Sequence, residues 1–259
     1  MNTNVKWTRN HTFAHIALIL AVIVLGLFIT SISRLWAWMI TLFLMVAYIF
    51  VAGHGITGSL KGTLLDERFK ISLSRLQTLL WTILILSAFV TASLYNISQS
   101  VGDPLSITIP QELWLTLGIS LTSLVGSPLI KSNKRKSQAR QEQWMRTRDV
   151  MGKQGMDVNQ MDAEGVIVVN KNPQKAEWSD LFKGEEIGNA AILDLSKIQM
   201  FFFTVSLVLA YAFAIGYMMN GAGAIRELPA LSQSQVALLG ISHAGYLVNK
   251  AAPHTNTQA

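Results

Sequence analysis

Side chains able to do chemistry are sparse in this sequence, and several sit inside apolar stretches. His243 lies in Ser242-His243-Ala244-Gly245-Tyr246, within the last long apolar segment. A neutral imidazole there can gate a pore, hold a ligand, or bond a neighbouring hydroxyl, and polar groups inside membrane helices are functional candidates by default. The hydrogen-bonded role is the plainer of these. His54, in Gly53-His54-Gly55, stands at the inner end of the second apolar stretch. Ser74-x-x-Gln77 and Ser196-x-x-Gln199 have the spacing of a helix-capping box, with the serine as cap and the glutamine reaching back. Alternatively, Gln77 and Gln199 form a polar ring at the mouth of a pore. No cysteine occurs, no His or acid pair has metal-ligand spacing, and no phosphate-cradling loop, nucleophile elbow or catalytic carboxylate pair stands out. The expectation is therefore no enzyme, no metal and no cofactor.

The elements that carry these residues are set by hydropathy. Half of the residues, 51%, are hydrophobic and only 14% are charged, which excludes an ordinary soluble domain. Apolar stretches near 16–29, 35–52, 76–94, 113–130, 200–219 and 228–248 predict an all-α membrane protein with six transmembrane helices in three hairpins. The last is the most dilute, because Ser232, Gln233, Ser234 and Gln235 open it. Residues 1–55 form the first hairpin, 56–72 a cytoplasmic linker, 73–130 the second hairpin, 131–194 a cytoplasmic insert, 195–250 the third hairpin and 251–259 a tail. Lys6 and Arg9 before an apolar run resemble a secretory signal, but no small-x-small site follows; Ser31-Ile32-Ser33-Arg34 reads as a tight turn into a second helix. With both termini inside, only Arg34 and Arg226 of the 21 Lys and Arg residues fall outside, so the positive-inside rule fixes the orientation. Trp36, Trp38 and Trp114 then lie near the outer interface. The net charge of +6 follows from topology, and nucleic acid is not an expected partner.

The sequence also repeats. Leu73-Ser74-Arg75-Leu76-Gln77 returns as Leu195-Ser196-Lys197-Ile198-Gln199, and Leu117-Gly118-Ile119-Ser120 as Leu239-Gly240-Ile241-Ser242, both 122 positions on. The same offset pairs Thr82 with Thr204. A constant offset across two helices predicts a duplicated hairpin, and the orientation makes its copies parallel. Gly118, Thr122 and Gly126 form a small-residue face suited to close helix approach, echoed by Gly240 and Ala244, and predict self-association. Gln77, Thr82, Gly118, Ser120, Gln199, Thr204, Gly240, Ser242 and His243 are thus the candidates for pore lining or helix contact. His243 replaces Leu121 of the first copy, so it departs from the duplication.

The insert carries the remaining leads. Lys131, Lys134, Arg135, Lys136 and Arg140 crowd its start, on an expected continuation of the fourth helix, and can hold anionic lipid headgroups of the bilayer or simply set topology. Gly165-Val166-Ile167-Val168-Val169 predicts a strand closed by a turn at Asn170-Lys171-Asn172-Pro173. Trp178-Ser179-Asp180-Leu181-Phe182 suits a short interfacial or docking helix, and the insert is too short for a sizeable core.

Leu64-Leu65-Asp66-Glu67-Arg68, Ser72-Leu73-Ser74-Arg75-Leu76-Gln77, Trp178 to Phe182, Gly184-Glu185-Glu186, Asp194 to Thr204 and Leu239 to Leu247 together resemble a functionally uncharacterised family of bacterial polytopic inner-membrane proteins. The resemblance covers about residues 62–250 and leaves the first hairpin outside. It implies a bacterial inner-membrane setting. It also draws attention to Asp66, Glu67, Arg68, Trp178, Asp180, Glu185 and Glu186 as a candidate cytoplasmic binding cluster. The sequence supports a homo-oligomeric pore or ion channel first, a scaffold recruiting a cytoplasmic protein partner second, and a small-molecule transporter third.

Overall fold

A computed structural model describes residues 7–30 and 32–257, without the side chains of 25–27; Lys6 and Ser31 lie outside the described residues. Seven α-helices form: α1 Arg9–Thr30, α2 Arg34–Thr57, α3 Leu73–Ser98, α4 Gln111–Lys134, α5 Gln141–Lys153, α6 Leu195–Asn220 and α7 Gln233–Ala251. Five of them, α1 to α4 and α6, are long and apolar enough to cross a membrane. They mark a multi-pass integral membrane protein. The expected sixth span falls on α7, a helix of 19 residues that is not among the five marked by length and hydropathy. Its first turn takes up the Gln-Ser-Gln opening, and Asn249 and Lys250 end it. Numerically, α6 starts and ends 122 residues after α3, and α7 starts 122 residues after α4.

The helix starts correct the capping assignment. Ser74 and Ser196 lie one residue inside their helices. The Asp194 carboxylate instead caps α6, accepting from the backbone of Ser196 (3.0 Å) and Lys197 (3.3 Å). At α3 the corresponding residue is Ser72, whose carbonyl accepts from Leu76. An acidic or hydroxyl cap satisfies N–H groups that would otherwise be open at a helix start.

The chain divides into two compact units. The first comprises Met1–Thr63, Gln77–Gly118 and Thr204–Leu238. Here α1 and α2 pack as a hairpin, and Gly53 is required where the chain returns: a Cβ there would stand 2.8 Å from the Thr63 nitrogen. One stripe of α3, Gln77, Trp81, Leu84, Ala88, Thr91 and Asn96, is buried at helical spacing. The Trp38 indole donates to the Ser87 hydroxyl (3.0 Å). Asn96 pairs both ways with the backbone of Ile225 (2.8 and 3.0 Å), and Arg34 donates to the Gly223 carbonyl (2.8 Å) while lying 4.5 Å from the centre of the Tyr95 ring. Asn96 and the Arg34 guanidinium thus hold the connector at 221–232 through its backbone.

The second unit comprises Leu64–Leu76, Ile119–Phe203 and Leu239–Ala259. Its insert folds around α5 and an antiparallel hairpin, β1 Met161–Glu164 and β2 Ile167–Asn170, with Glu164 opposite Ile167. The two-residue turn needs a positive φ, and Gly165 supplies 63°. The expected strand is therefore real but ends at Asn170, and its partner was not foreseen. Met151, Met156, Val168, Ile187 and Ala190 make a small core, with Trp144 against it. The segment at 56–72 is more than a linker, because its end is a tight turn: Asp66 donates its N–H to the Lys70 carbonyl (3.0 Å), and Asn170 donates to the backbone of Arg68 and Phe69. The tail is also folded in, with Gly188 donating to the Thr255 hydroxyl (3.0 Å) and His254 to Glu186 (3.0 Å).

Candidate functional site

The residues with chemical potential collect in the second unit, in two connected layers. The first is ionic. Asp66 accepts from the Arg68 guanidinium (2.7 Å) and the Lys131 ammonium (2.8 Å), and Lys131 also meets Glu67 (2.7 Å). Glu185 takes three cations: Arg68 (3.3 Å), Lys197 (3.1 Å) and Lys250 (2.7 Å). Lys70 meets Asp180 (3.1 Å), and Lys134 meets Glu186. Arg68 and Lys131 are 2% and 1% exposed, so these charges have left water almost completely. Charges in such a place are tolerated only when paired and bonded.

Protonation follows the same logic. Burial alone would raise the Asp66 and Glu185 carboxyls, but the cations around them hold both well below the usual carboxylate range. Burial would lower Arg68, yet Asp66 and Glu185 raise it. For Lys70 burial wins: its ammonium is depressed despite Asp180.

This arrangement corrects the binding cluster expected from the sequence. Asp66, Arg68, Asp180, Glu185 and Glu186 do come together, but as partners of buried cations rather than as an open acidic face. Glu67 keeps a partly exposed side chain, and Trp178 is 52% exposed. The lipid-binding row is corrected too. Lys131 is buried, Lys134 is turned into the Glu186 pair and two backbone carbonyls, and Arg135 is paired with Glu164 (2.7 Å). Only Lys136 and Arg140 of that row are exposed. The physical reason is the break after Lys134, where α4 ends and a turn at 135–140 wraps its last basic residues into the insert.

The second layer is made of hydroxyls and one imidazole. On α4, Ser120, Ser123, Ser127 and Lys131 are all buried at spacings of one helical turn, forming an inward polar stripe. On α7, Ser242, His243, Tyr246 and Lys250 are buried as well. The Ser123 hydroxyl lies 2.7 Å from His243 Nδ1. The Tyr246 hydroxyl accepts from Lys250 (2.9 Å) and from Ser74 (3.5 Å), and Ser127 neighbours the same group. His243 Nε2 and the Ser242 hydroxyl are buried with no hydrogen-bond partner among the described residues. Lys250 joins this layer to Glu185 and so to the ions.

The other sequence candidates scatter. Gln77 is fully buried and donates to the Thr204 hydroxyl, whereas Gln199 is exposed; the two glutamines do not share an environment, so they form no ring within the chain. Thr82 is half-buried. Gly118 is exposed with nothing within 4 Å of a Cβ placed on it, and Gly240 meets only the Ile119 side chain at 3.7 Å. The small-residue face is thus divided: Gly118 and Thr122 are exposed, Gly126 and Gly240 are half-buried against Leu247 and Ile119, and hydroxyls take the inward face of α4. His54 Nδ1 stands 3.1 Å from His11 Nε2, which bonds through its other nitrogen to Thr8 (2.7 Å). Among the described residues no group of three His, Cys, Asp or Glu side chains is placed as metal ligands are.

Sequence reasoning missed Ser123, Ser127, Tyr246, Lys197 and Lys250. The serines carried a readable signal, since Ser120, Ser123, Ser127 and Lys131 recur at steps of 3 and 4. The lysines carried none, because their partners lie far away in sequence. No protein family matches the chain, and no curated protein or solved structure is similar to it.

Proposed function

We propose that this integral membrane protein is a non-catalytic, homo-oligomeric pore of a bacterial inner membrane, with both termini cytoplasmic. The observation that carries the reading is the buried polar seam of α4 and α7, with His243 Nε2 and the Ser242 hydroxyl unpartnered within it. Unsatisfied polar groups cost several kcal/mol in hydrocarbon, by a common estimate of about 1–3 kcal/mol even in ordinary protein interiors. Proteins retain them where water or a permeating species supplies the missing partner. Conduction along hydroxyls requires no fixed charge in mid-membrane. In this reading α7 is the sixth span, shielded from lipid by protein. The exposed Gly118 and Thr122 on α4 supply the kind of small-residue surface that membrane helices use to self-associate. The 122-residue spacing of helix starts supports a duplicated parallel hairpin, and the resemblance to bacterial polytopic proteins supports the setting.

The test is flux. Purified protein in liposomes passes ions, and Ser120→Leu or Ser242→Leu reduces the flux; silent bilayers across several ions and voltages reject the pore. A second reading, a scaffold for a cytoplasmic partner, is favoured by the folded insert that keeps Trp178 and Met145 exposed at 52% and 58%. It predicts that Trp178→Ala with Met145→Ala abolishes co-purification of a partner while membrane insertion persists. Unchanged co-purification rejects it.

A further inference from the structure

The polar seam does not end blindly at the ionic layer. Beside Glu185 and Lys250 lies a cavity of about 10 Å³, room for the centre of a single water. Next to it opens a groove of about 430 Å³. Asn189, Asp194 and His254 line both spaces. His254 Nε2 lies 2.9 Å from the Asn249 carbonyl, an acceptor only, so Nε2 is the donor in that contact. Lys250, 8% exposed, lines the small cavity and donates to Tyr246. Ser127 stands near Tyr246 with its buried hydroxyl making no hydrogen bond among the described residues, so it is open to a proton from that side, and Ser123 one turn further along the same face of α4 bonds His243.

We propose that this file is a proton path, running from the groove through His254, Lys250, Tyr246, Ser127 and Ser123 to His243. The proposal rests on the pore reading and names what the pore carries. Size decides against larger ions: Tyr246, Ser127, Ser123 and His243 are each at most 3% exposed, and the cavity at the head of the file admits one water. A hydrated cation needs an open bore, whereas a proton needs only donors and acceptors in reach of one another.

Each step exchanges one bond for another. Lys250 gives a proton to the Tyr246 oxygen as the Tyr246 O–H passes its own proton to Ser127, and the resulting amine is reprotonated from His254 through the cavity water. Ser127 and Ser123 are four residues apart, about 6 Å of helical rise, so this step runs through a bridging water. Ser123 then protonates His243 Nδ1, and His243 releases a proton from Nε2 to a water entering the seam there. One proton enters, one leaves, and no group is oxidised or reduced. The unpartnered Nε2 is where a purely structural histidine would be satisfied.

The experiment uses the full-length protein in liposomes containing trapped pyranine, with a potassium gradient and valinomycin setting the potential. Wild type acidifies the lumen, and His243→Leu, Ser123→Ala and Tyr246→Phe each slow this by about 100-fold. Ser123→Thr, which keeps the hydroxyl, retains the flux, and elution profile and helicity confirm that each variant is folded. Proton flux unchanged in the three variants overturns the file and leaves the pore standing. Sodium, potassium or chloride flux as large as the proton flux overturns the proton assignment alone. A wild type silent to protons and to these ions overturns both readings.

Discussion

The two compact units bury polarity by different means. In the first, the partners are neutral: Asn96 clamps the Ile225 backbone, Trp38 bonds Ser87, Gln77 bonds Thr204, and the one buried cation named there, Arg34, is held by the Gly223 carbonyl and the Tyr95 ring rather than by a carboxylate. In the second, all the ion pairs described above occur, and Glu185 alone compensates Arg68, Lys197 and Lys250. The difference follows from what each buried group must satisfy. A backbone carbonyl or hydroxyl in an apolar span is satisfied by another neutral group at little desolvation cost. A lysine at a helix end that is covered by a folded insert must find a carboxylate or lose its charge.

The contrast is sharpest for Glu185. Glu185→Gln leaves three buried cations without their shared anion and is expected to destabilise the second unit by about 3–5 kcal/mol. A thermal-unfolding scan in detergent reads this, with proteolysis of the insert as a local reporter. An unchanged midpoint would show that the charges are wetter than the structure places them. Acid titration probes the same layer. Asp66 and Glu185 are depressed in the folded chain, so their stabilisation is complete above the unfolded carboxyl range, near pH 4, and fades as pH falls below it. Wild type should therefore lose insert protection from protease on acidification, and Asp66→Asn should flatten that dependence.

In the first unit the effects are smaller. Asn96→Ala removes both bonds to Ile225 and is expected to cost about 1–3 kcal/mol, with no change in its acid dependence. A shift in the acid profile would contradict the neutral character of that unit. Asp194→Ala removes the α6 cap, for about 1 kcal/mol. Lys153→Ala breaks only the exposed pair with Asp149 and should move stability by about 0.5 kcal/mol or less.

Much of the fold is legible from hydropathy, because a bilayer demands long apolar helices whatever their packing. The stretches read from the sequence each contain the core of an observed helix, and only the ends and the polar α7 differ. The site was legible in its parts. His243 stood out by its environment, and Asp66, Arg68, Asp180, Glu185 and Glu186 by the resemblance. Their roles were not legible. Lys131 and Lys134 read as headgroup ligands from local charge density, but both turn into carboxylates supplied by distant segments.

What the sequence by itself determined is the apolar length of the spans, the equal 122-residue spacing of helix starts and the polar residues placed among them. These depend on neighbours along the chain, through helical spacing and hydropathy. What only the tertiary structure decided is which polar groups satisfy each other. The Ser123–His243 bond, the Ser74–Tyr246 contact and the three cations around Glu185 join segments that the folding of the chain brings together. Pairing of buried charge depends on distance in space, and the water excluded around it makes that pairing compulsory.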